Sequence, residues 1–244
     1  MKKIAFVVAL VLFTCTAVSA LAVSPAEFLG VWYLKSVEYN SQVALLEGDY
    51  RVEFNRDRSA VVVLNGTEEK ATWALNDNSA NVELEGGTSY FELQEDGTLK
   101  VYMKIIDKYG KNCVFSREKE EIKIPAVIDA ASEDEYFGTY ALTLQKTGNI
   151  LIPIENGETL LKAVIEFALV TVSGDAVYDA SVMSDYQDGK IIIPAYDIVS
   201  GATNENKLFI GKTETGIIVT CDVDPDTVYY LIPVEADETT EAKE

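Results

Sequence analysis

Two segments of this chain, one beginning at Ser24 and the other at Ser132, carry the same opening motif, and this repeat constrains the fold more than any other feature. Ser24 to Leu34 aligns with Ser132 to Leu142 without a gap. Both segments read Ser-x-x-Glu, two bulky apolar residues, Gly, any residue, an aromatic, any residue and Leu, so seven of the eleven positions agree by residue class. The separation of Ser24 from Ser132 is here called the repeat offset. The repeat predicts two related units joined in tandem.

Each half of this motif has a structural interpretation. Ser-x-x-Glu is a capping box that starts a short helical turn, and Pro25 stands at the favoured first position of that turn. The glycines Gly30 and Gly138 end the two turns, and a strand with alternating apolar residues follows each of them. Each unit is therefore expected to begin with a helical turn that leads directly into its first strand.

The first unit continues as short alternating segments that are separated by turn residues such as Asn65-Gly66, Asp96-Gly97 and Tyr109-Gly110. Strands are expected at 30–39, 49–55, 59–65, 69–75, 80–84, 88–94, 98–106 and 111–117. Short connections between successive strands predict antiparallel hairpins, and eight such strands predict a meander or an up-and-down barrel.

The second unit is more divergent, and an insertion around 147–159 lengthens its first loop. Strands are expected at 137–146, 162–173, 175–183, 189–196, 207–212, 215–223 and 227–234. The predicted fold class is therefore all-β, with two tandem antiparallel barrel-like domains.

The N-terminus has the pattern of an export signal. Two lysines at positions 2 and 3 precede an apolar run over 4–18, and the small-x-small segment Ala20-Leu21-Ala22 follows. The run of about 15 residues is shorter than the ~20 that a membrane-spanning helix needs. We therefore expect cleavage after Ala22, or else after Ala20, and a secreted, periplasmic or cell-surface protein; a retained anchor is the alternative.

Cys15 raises the possibility of lipid attachment to a new N-terminal cysteine. Leu12-Phe13-Thr14 before it and the apolar residues after it disfavour this outcome, because lipoprotein signals have a small residue before the cysteine and a polar tether after it. No second apolar run of spanning length follows, so no transmembrane segment is expected in the mature chain. The predicted organisation is a signal peptide at 1–22, a first unit at 23–118, a linker at 119–131, a second unit at 132–235 and an acidic, disordered tail at 236–244.

The charge of the chain disfavours two classes of partner. Its net charge is −20, and loss of residues 1–22 removes two lysines and no acid, which leaves 18 basic and 40 acidic residues and a charge of −22. A charge of this size repels nucleic-acid phosphates and anionic lipid.

Histidine is absent, which removes the side chain that proteins use most for general base chemistry and metal binding near neutral pH. The two cysteines beyond the signal, Cys113 and Cys221, fall in different units. Two buried free thiols and a disulfide bridge between the units are both compatible with an exported protein.

A short helical turn followed by Gly-x-Trp at the start of an eight-stranded meander resembles the lipocalin and fatty-acid-binding-protein group, and more closely the small lipocalin-like domains of secreted bacterial proteins. In that family the tryptophan closes one end of the barrel and stacks against an arginine from the last strand. The resemblance implies this role for Trp32, with Arg117 as its partner. The second unit departs from the pattern, since Tyr140 replaces the tryptophan and its last strand has no arginine.

The residues that share the strand face of Trp32 are nearly all large and apolar. They are Leu34, Val52, Phe54, Val61, Val63, Trp73, Leu75, Val82, Leu84, Phe91, Leu93, Leu99, Val101, Met103 and Phe115. Leaving a ligand cavity among them would forgo ~1.5–3 kcal/mol for each side chain that is not fully buried. A filled core is therefore expected in place of an internal ligand cavity.

The opposite strand face carries tyrosines. Tyr33, Tyr90 and Tyr102 are the candidate ligand-binding residues of this face, and Tyr90 and Tyr102 lie on neighbouring predicted strands where they could pair. Exposed tyrosines can stack on sugars or form a protein interface; strand propensity and packing between the units are the alternative explanation.

No arrangement typical of a catalyst is found. A Ser-His-Asp or Cys-His set is impossible without histidine, and neither a glycine-rich phosphate loop nor paired-cysteine zinc spacing is present. The acidic segment Asp222 to Asp226 superficially resembles a calcium loop but is better explained as a hairpin turn, as is the glycosylation sequon Asn65-Gly66-Thr67. We expect no enzyme, cofactor or metal.

Three functions remain. The first is an exported, non-catalytic lipocalin-like module that binds a small hydrophobic molecule, a glycan or a protein. The second is a structural or surface-assembly protein without a small ligand, and the third is a hydrolase of glycans that uses paired carboxylates.

Overall fold

The computed structural model describes residues 23–102, 112–121, 123–175, 179–196 and 203–235. The predicted signal peptide with Cys15, the acidic tail at 236–244, the core position Met103 and the turn at Tyr109-Gly110 lie outside these residues. In chain order the elements are α1 (Pro25–Phe28), β1 (Gly30–Tyr39), β2 (Gln42–Leu46), β3 (Tyr50–Phe54), β4 (Ser59–Leu64), β5 (Thr67–Asn76), β6 (Ser79–Leu84), β7 (Gly87–Leu93), β8 (Leu99–Tyr102), β9 (Cys113–Ser116), β10 (Val127–Ile128), a 3₁₀ turn (Glu133–Tyr136), β11 (Gly138–Thr147), β12 (Ile150–Pro153), α2 (Gly157–Leu160), β13 (Lys162–Glu166), β14 (Leu169–Ser173), β15 (Ala180–Met183), β16 (Asp185–Gln187), β17 (Lys190–Tyr196), β18 (Thr203–Thr213), β19 (Ile217–Cys221) and β20 (Asp224–Pro233).

Eight strands form a closed antiparallel barrel, here called the N-terminal barrel. Each strand from β3 to β9 pairs with the next, and β1 pairs with both β3 and β9. Asn65-Gly66 makes the tight β4–β5 connection with positive φ at both residues, which the twist of a two-residue hairpin favours. The predictions of an all-β fold and of an eight-stranded antiparallel barrel are confirmed.

The remaining strands are also antiparallel and are here called the C-terminal sheet. Pairing runs from β11 through β13 and β14 to β15, and from β16 through β17, β18 and β19 to β20, which pairs with β11. β15 and β16 are successive in the chain and are separated only by Ser184. β10, from the predicted linker, adds to the edge of β18.

One continuous sheet joins the two parts. β2 pairs with β1 and with β12, and β12 in turn pairs with β11. Sequence analysis missed β2, because Val43-Ala44-Leu45-Leu46 has no alternation of apolar and polar residues. It also merged β13 and β14 into one strand, because the connection at Phe167-Ala168 contains neither Gly nor Pro.

Two local predictions are wrong. In β4 it is Ala60 and Val62 that face the core, and Val61 is only half-buried, because the β3–β4 connection places Val62 opposite Val52. The second capping box does not form. Ser132 caps nothing with its side chain, and Glu135 accepts a hydrogen bond from the N–H of Ala131, since the turn after it is a tight 3₁₀ turn. The first capping box, between Ser24 and Glu27, is confirmed.

Candidate functional site

The interior of the N-terminal barrel is filled by aromatic and aliphatic side chains. Phe54 lies at the centre, with ring centroids 5.3 Å from Trp73 and 5.4 Å from Phe91, and Phe91 reaches Phe115 at 5.9 Å. These rings are at most 3% exposed. The spacings are those of edge-to-face contacts, so the part of the core that these rings form resembles a packed protein interior.

The stacking of Arg117 on Trp32 that the resemblance implies is present. Trp32 is buried, its indole N–H donates a hydrogen bond to the carbonyl of Phe28 at 2.7 Å, and the guanidinium of Arg117 lies 3.7 Å from its ring centroid. Arg117 also donates to the carbonyl of Glu27 at 2.7 Å. Gly30 has φ of +100°, and a Cβ there would lie 3.1 Å from the guanidinium, so both backbone and space favour glycine.

The C-terminal sheet has the same arrangement with different side chains. The hydroxyl of Tyr140 donates to the carbonyl of Tyr136 at 2.9 Å, as Trp32 does to Phe28. Gly138 again has positive φ and lies against the ring of Tyr140. The cation that sequence analysis did not find is Lys212, which donates to the carbonyl of Glu135. It belongs to β18 and not to the last strand, so no comparison of the last strands could reveal it.

Of the outward tyrosines, the structure brings Tyr90 and Tyr102 together. They are direct cross-strand partners on β7 and β8, and their side chains are 48% and 52% exposed. Phe91 and Val101, the neighbours that face the core, are fully buried and anchor the two strands. The predicted pairing is confirmed, and the two rings form an outward surface, which we call the tyrosine platform.

The tyrosine platform borders a surface pocket of about 470 Å³. The pocket is lined by Asn76, Asp77, Asn78, Ser79, Tyr90, Glu92 and Tyr102. The β5–β6 turn supplies the polar wall, because Ser79 lies opposite Glu92 across the sheet and so holds the turn beside β7. The hydroxyl of Ser79 donates to the carbonyl of Asn76 at 3.1 Å, which stiffens the turn. Nothing in the sequence pattern predicts that this turn lies next to the platform.

The polar side chains of the pocket are available to a ligand. Within the described part of the chain, the carboxamides of Asn76 and Asn78 and the carboxylates of Asp77 and Glu92 make no hydrogen bond and no ion pair. The ammonium of Lys100 lies 5.5 Å from the ring centroid of Tyr102. The pocket thus combines ring faces with free donors and acceptors and contains two carboxylates, a composition that suits a neutral ligand with many hydroxyl groups.

Tyr33 lies elsewhere. It lines a different surface pocket, of about 310 Å³, together with Lys35, Glu47, Tyr50 and the segment after β9. The three tyrosines singled out in the sequence therefore do not form one site.

At the corresponding place on β18 and β19 of the C-terminal sheet there is no pair of tyrosines. The register of β18 and β19 places Phe209 and Thr220 at the positions of Tyr90 and Tyr102, if Ile210 and Val219 are matched to Phe91 and Val101. Among these strand positions, the paired tyrosines therefore belong to the N-terminal barrel alone.

Cys113, which is buried, and Cys221, which is half-buried, are not joined by a disulfide bond. The segment Asp222 to Asp226 makes the β19–β20 hairpin, with Cys221 opposite Asp224. No group of three or more acidic or cysteine side chains that could hold a metal ion occurs among the residues that the structure describes. In the same residues, no helix is long and apolar enough to cross a membrane.

Comparisons with protein-family models, with curated proteins and with solved structures found nothing that matches the chain.

Proposed function

We propose that this protein is an exported, non-catalytic binding protein built from two copies of one lipocalin-like unit, and that its tyrosine platform binds a neutral glycan. The duplication is supported by strand register. Val37 pairs with Ala44 in β1–β2, and the residues one repeat offset later, Gln145 and Ile152, pair in β11–β12. The irregularity of β1 at Leu34 to Ser36 also recurs in β11 at the equivalent place, Leu142 to Leu144. Two unrelated domains would not share a register and a bulge at one offset.

The observation that carries the glycan proposal is the pair of rings, Tyr90 and Tyr102, half-exposed on rigid strands beside unpaired amides and carboxylates. An apolar sugar face can stack on a tyrosine ring, while sugar hydroxyls donate to carboxylates and bond to carboxamides. The pocket volume lies within the ~300–1,000 Å³ that small-ligand sites occupy. The filled barrel interior argues against a hydrophobic molecule held inside, as lipocalins hold theirs.

The charge of the protein selects among glycans. A net charge of −20, with Asp77 and Glu92 in the pocket wall, repels uronic-acid and sulfated polymers. The proposed ligand is therefore an uncharged oligosaccharide.

The test is titration of the purified chain with a panel of neutral oligosaccharides (gluco-, manno-, xylo- and chito-oligomers). Calorimetry and tyrosine fluorescence are the two measurements of binding. We expect saturable binding by at least one series and an affinity at least about tenfold lower for Tyr90→Ala, since loss of one stacked ring costs ~1.5 kcal/mol. Tyr33→Ala is the matched control, because it removes an outward tyrosine from the other pocket. Absence of saturable binding across the panel, or an equal loss in both variants, would contradict the proposal.

A further inference from the structure

The first strand of the N-terminal barrel, β1, pairs with two different strands along its length. The place where these two partner strands separate is here called the fork. The first half of β1, Gly30 to Tyr33, pairs with β3, and its second half, Val37 to Tyr39, pairs with β2. Only the three residues Glu47-Gly48-Asp49 connect β2 to β3. The 310 Å³ pocket lies in this fork, and its walls include Tyr33, Leu34, Lys35, Leu46, Tyr50 and the segment Lys119 to Glu121.

The same fork exists in the C-terminal sheet, where it is filled. β11 pairs with β13 over Gly138 to Ala141 and with β12 over Leu144 to Thr147. Matching Leu46 to Ile154 and Tyr50 to Leu161 leaves six connecting residues, 155–160, in place of three. Four of these six residues, Gly157–Leu160, form α2.

α2 occupies the fork closely. The N–H of Leu142, which corresponds to Leu34, donates at 3.1 Å to the carbonyl of Leu161, the residue that directly follows α2. A Cβ on Gly157 would overlap the carbonyl oxygen of Leu142, so only a glycine allows the helical turn to rest on the strand. The chain thus shows what fits a fork of this shape: a short turn of polypeptide with a small residue against the strand backbone.

The groups at the rim of the open fork also suit a peptide. Lys35 pairs with Glu120 at 3.6 Å and Glu47 with Lys146 at 2.6 Å. Lys119, Lys123 and Glu121 line the same pocket and have no ion-pair partner among the described residues. Free charges of both signs favour a peptide over a hydrocarbon chain, which would leave them desolvated.

We propose that the open fork of the N-terminal barrel is a second binding site, which accepts a short peptide segment of another protein in the place that α2 fills in the C-terminal sheet. In the C-terminal sheet α2 occupies the corresponding place. This inference does not depend on glycan binding, since the fork and the tyrosine platform share no residue.

The test uses as its probe the segment that fills the fork of the C-terminal sheet, here called the plug. An N-acetylated, C-amidated peptide Glu-Asn-Gly-Glu-Thr-Leu, residues 155–160, is titrated to millimolar concentration into the ¹⁵N-labelled chain at physiological salt, where charge repulsion is screened beyond ~8 Å. We expect saturable chemical-shift changes confined to the amides of Lys35, Gly48 and Tyr50 and their neighbours. Tyr90→Ala, in the other pocket, is expected to leave these changes unaltered.

The decisive variant replaces Glu47-Gly48-Asp49 by Glu-Asn-Gly-Glu-Thr-Leu, which builds the plug into the open fork and should weaken peptide binding at least tenfold. A three-residue Gly-Ser-Gly insertion after Gly86, where a side chain would meet nothing within 4 Å, is the control for added length. If the grafted chain does not fold, Tyr33→Ala in the chain of native length is expected to show the same tenfold loss.

Three outcomes would overturn the proposal. They are the absence of saturable changes in the native chain, undiminished binding in a folded graft or in Tyr33→Ala, and changes at these amides that depend on protein concentration without peptide. The last would identify a second copy of the chain as the occupant.

Discussion

At the scale of single residues, two different cations satisfy the same kind of group in the two parts of the chain. Arg117 and Lys212 donate to the carbonyls of Glu27 and Glu135, which are equivalent residues of the two opening turns. Arg117 directly follows β9, whereas Lys212 comes from β18. The carbonyl groups at the end of a short turn lack partners within it, and a cation near them satisfies both their hydrogen bonding and their partial charge.

Replacing Arg117 by Met is expected to destabilise the protein by about 1–2 kcal/mol, because it removes the stacking on Trp32 and the hydrogen bond to Glu27 while keeping the aliphatic stem. Urea unfolding followed by tryptophan fluorescence measures the change. Arg56→Met, at an exposed arginine that makes no hydrogen bond or ion pair with the described residues, is the control and should alter the unfolding free energy by less than ~0.5 kcal/mol. Equal effects of both substitutions would contradict the role given to Arg117.

Tyr136 makes the stability of the folded protein depend on pH in the alkaline range. Burial raises the pKa of its hydroxyl from 10.0 to about 12, and the hydroxyl donates to the carbonyl of Gly189 at 2.6 Å. Burial also raises the pKa of Tyr140. Because the folded state holds the proton more tightly than the unfolded chain, their contribution to stability is complete below pH 10 and is lost as pH rises from 10 towards 12.

We therefore expect the unfolding free energy to fall steeply above pH 10, and Tyr136→Phe to make this fall shallower. The variant should also lose ~1 kcal/mol near pH 7, since the carbonyl of Gly189 loses its donor. Urea denaturation between pH 7 and pH 11.5 provides the measurement, with Tyr90→Phe on the exposed platform as the control. A slope that is the same in Tyr136→Phe and the native chain would show that other groups cause the alkaline loss.

At the scale of elements, the sequence predicted best where strands alternate cleanly between core and solvent. β3, β6, β7 and β9 alternate in this way, and each was placed to within one or two residues of its ends. β2 could not be predicted, because both of its edges are paired inside a sheet and its residues show no period. The pocket beside the tyrosine platform could not be predicted either. It depends on the position of the β5–β6 turn next to β7, which no pattern within one strand encodes.

Gly157→Ala should expel α2 from its fork, because the new methyl group would overlap the carbonyl of Leu142. Overpacking of this kind costs ~1–3 kcal/mol, and the contact with rigid backbone favours the upper end. Gly86→Ala is the matched control, since a Cβ there meets nothing within 4 Å. Thermal unfolding followed by circular dichroism compares the two variants. If the unfolding midpoint of Gly157→Ala equals that of Gly86→Ala, α2 does not pack against Leu142 as described.

At the scale of the whole molecule, the junction between the two parts has the symmetry of a dimer. β2 and β12, which begin one repeat offset apart in the chain, pair with each other, Leu46 with Ile150 and Leu45 with Leu151. This register is centred on Ala44 and Ile152, which are separated by the same repeat offset. An antiparallel pairing of equivalent strands about such a centre is the arrangement of a two-fold dimer interface.

This junction should make the chain unfold as one unit. Ile150 and Ile152 of β12 pack into the core of the N-terminal barrel, and Asn149 donates to the hydroxyl of Tyr50 at 2.9 Å. Leu151, which is fully buried in the junction, is the residue to test. The native chain is expected to show a single calorimetric transition, in which the measured enthalpy equals the van't Hoff enthalpy.

Leu151→Asn should divide that transition in two, because it buries an amide without partners at a cost of ~2–4 kcal/mol where the two parts meet. Val43→Asn places the same side chain on β2, the strand that pairs with β12, at a position that is 67% exposed, and one transition should persist. If Leu151→Asn lowers the midpoint but leaves a single transition, contacts outside the β2–β12 pair must couple the two parts. If the native chain already unfolds in two transitions, the β2–β12 contacts contribute too little free energy to make the two parts unfold together. The junction then connects the two parts without stabilising either.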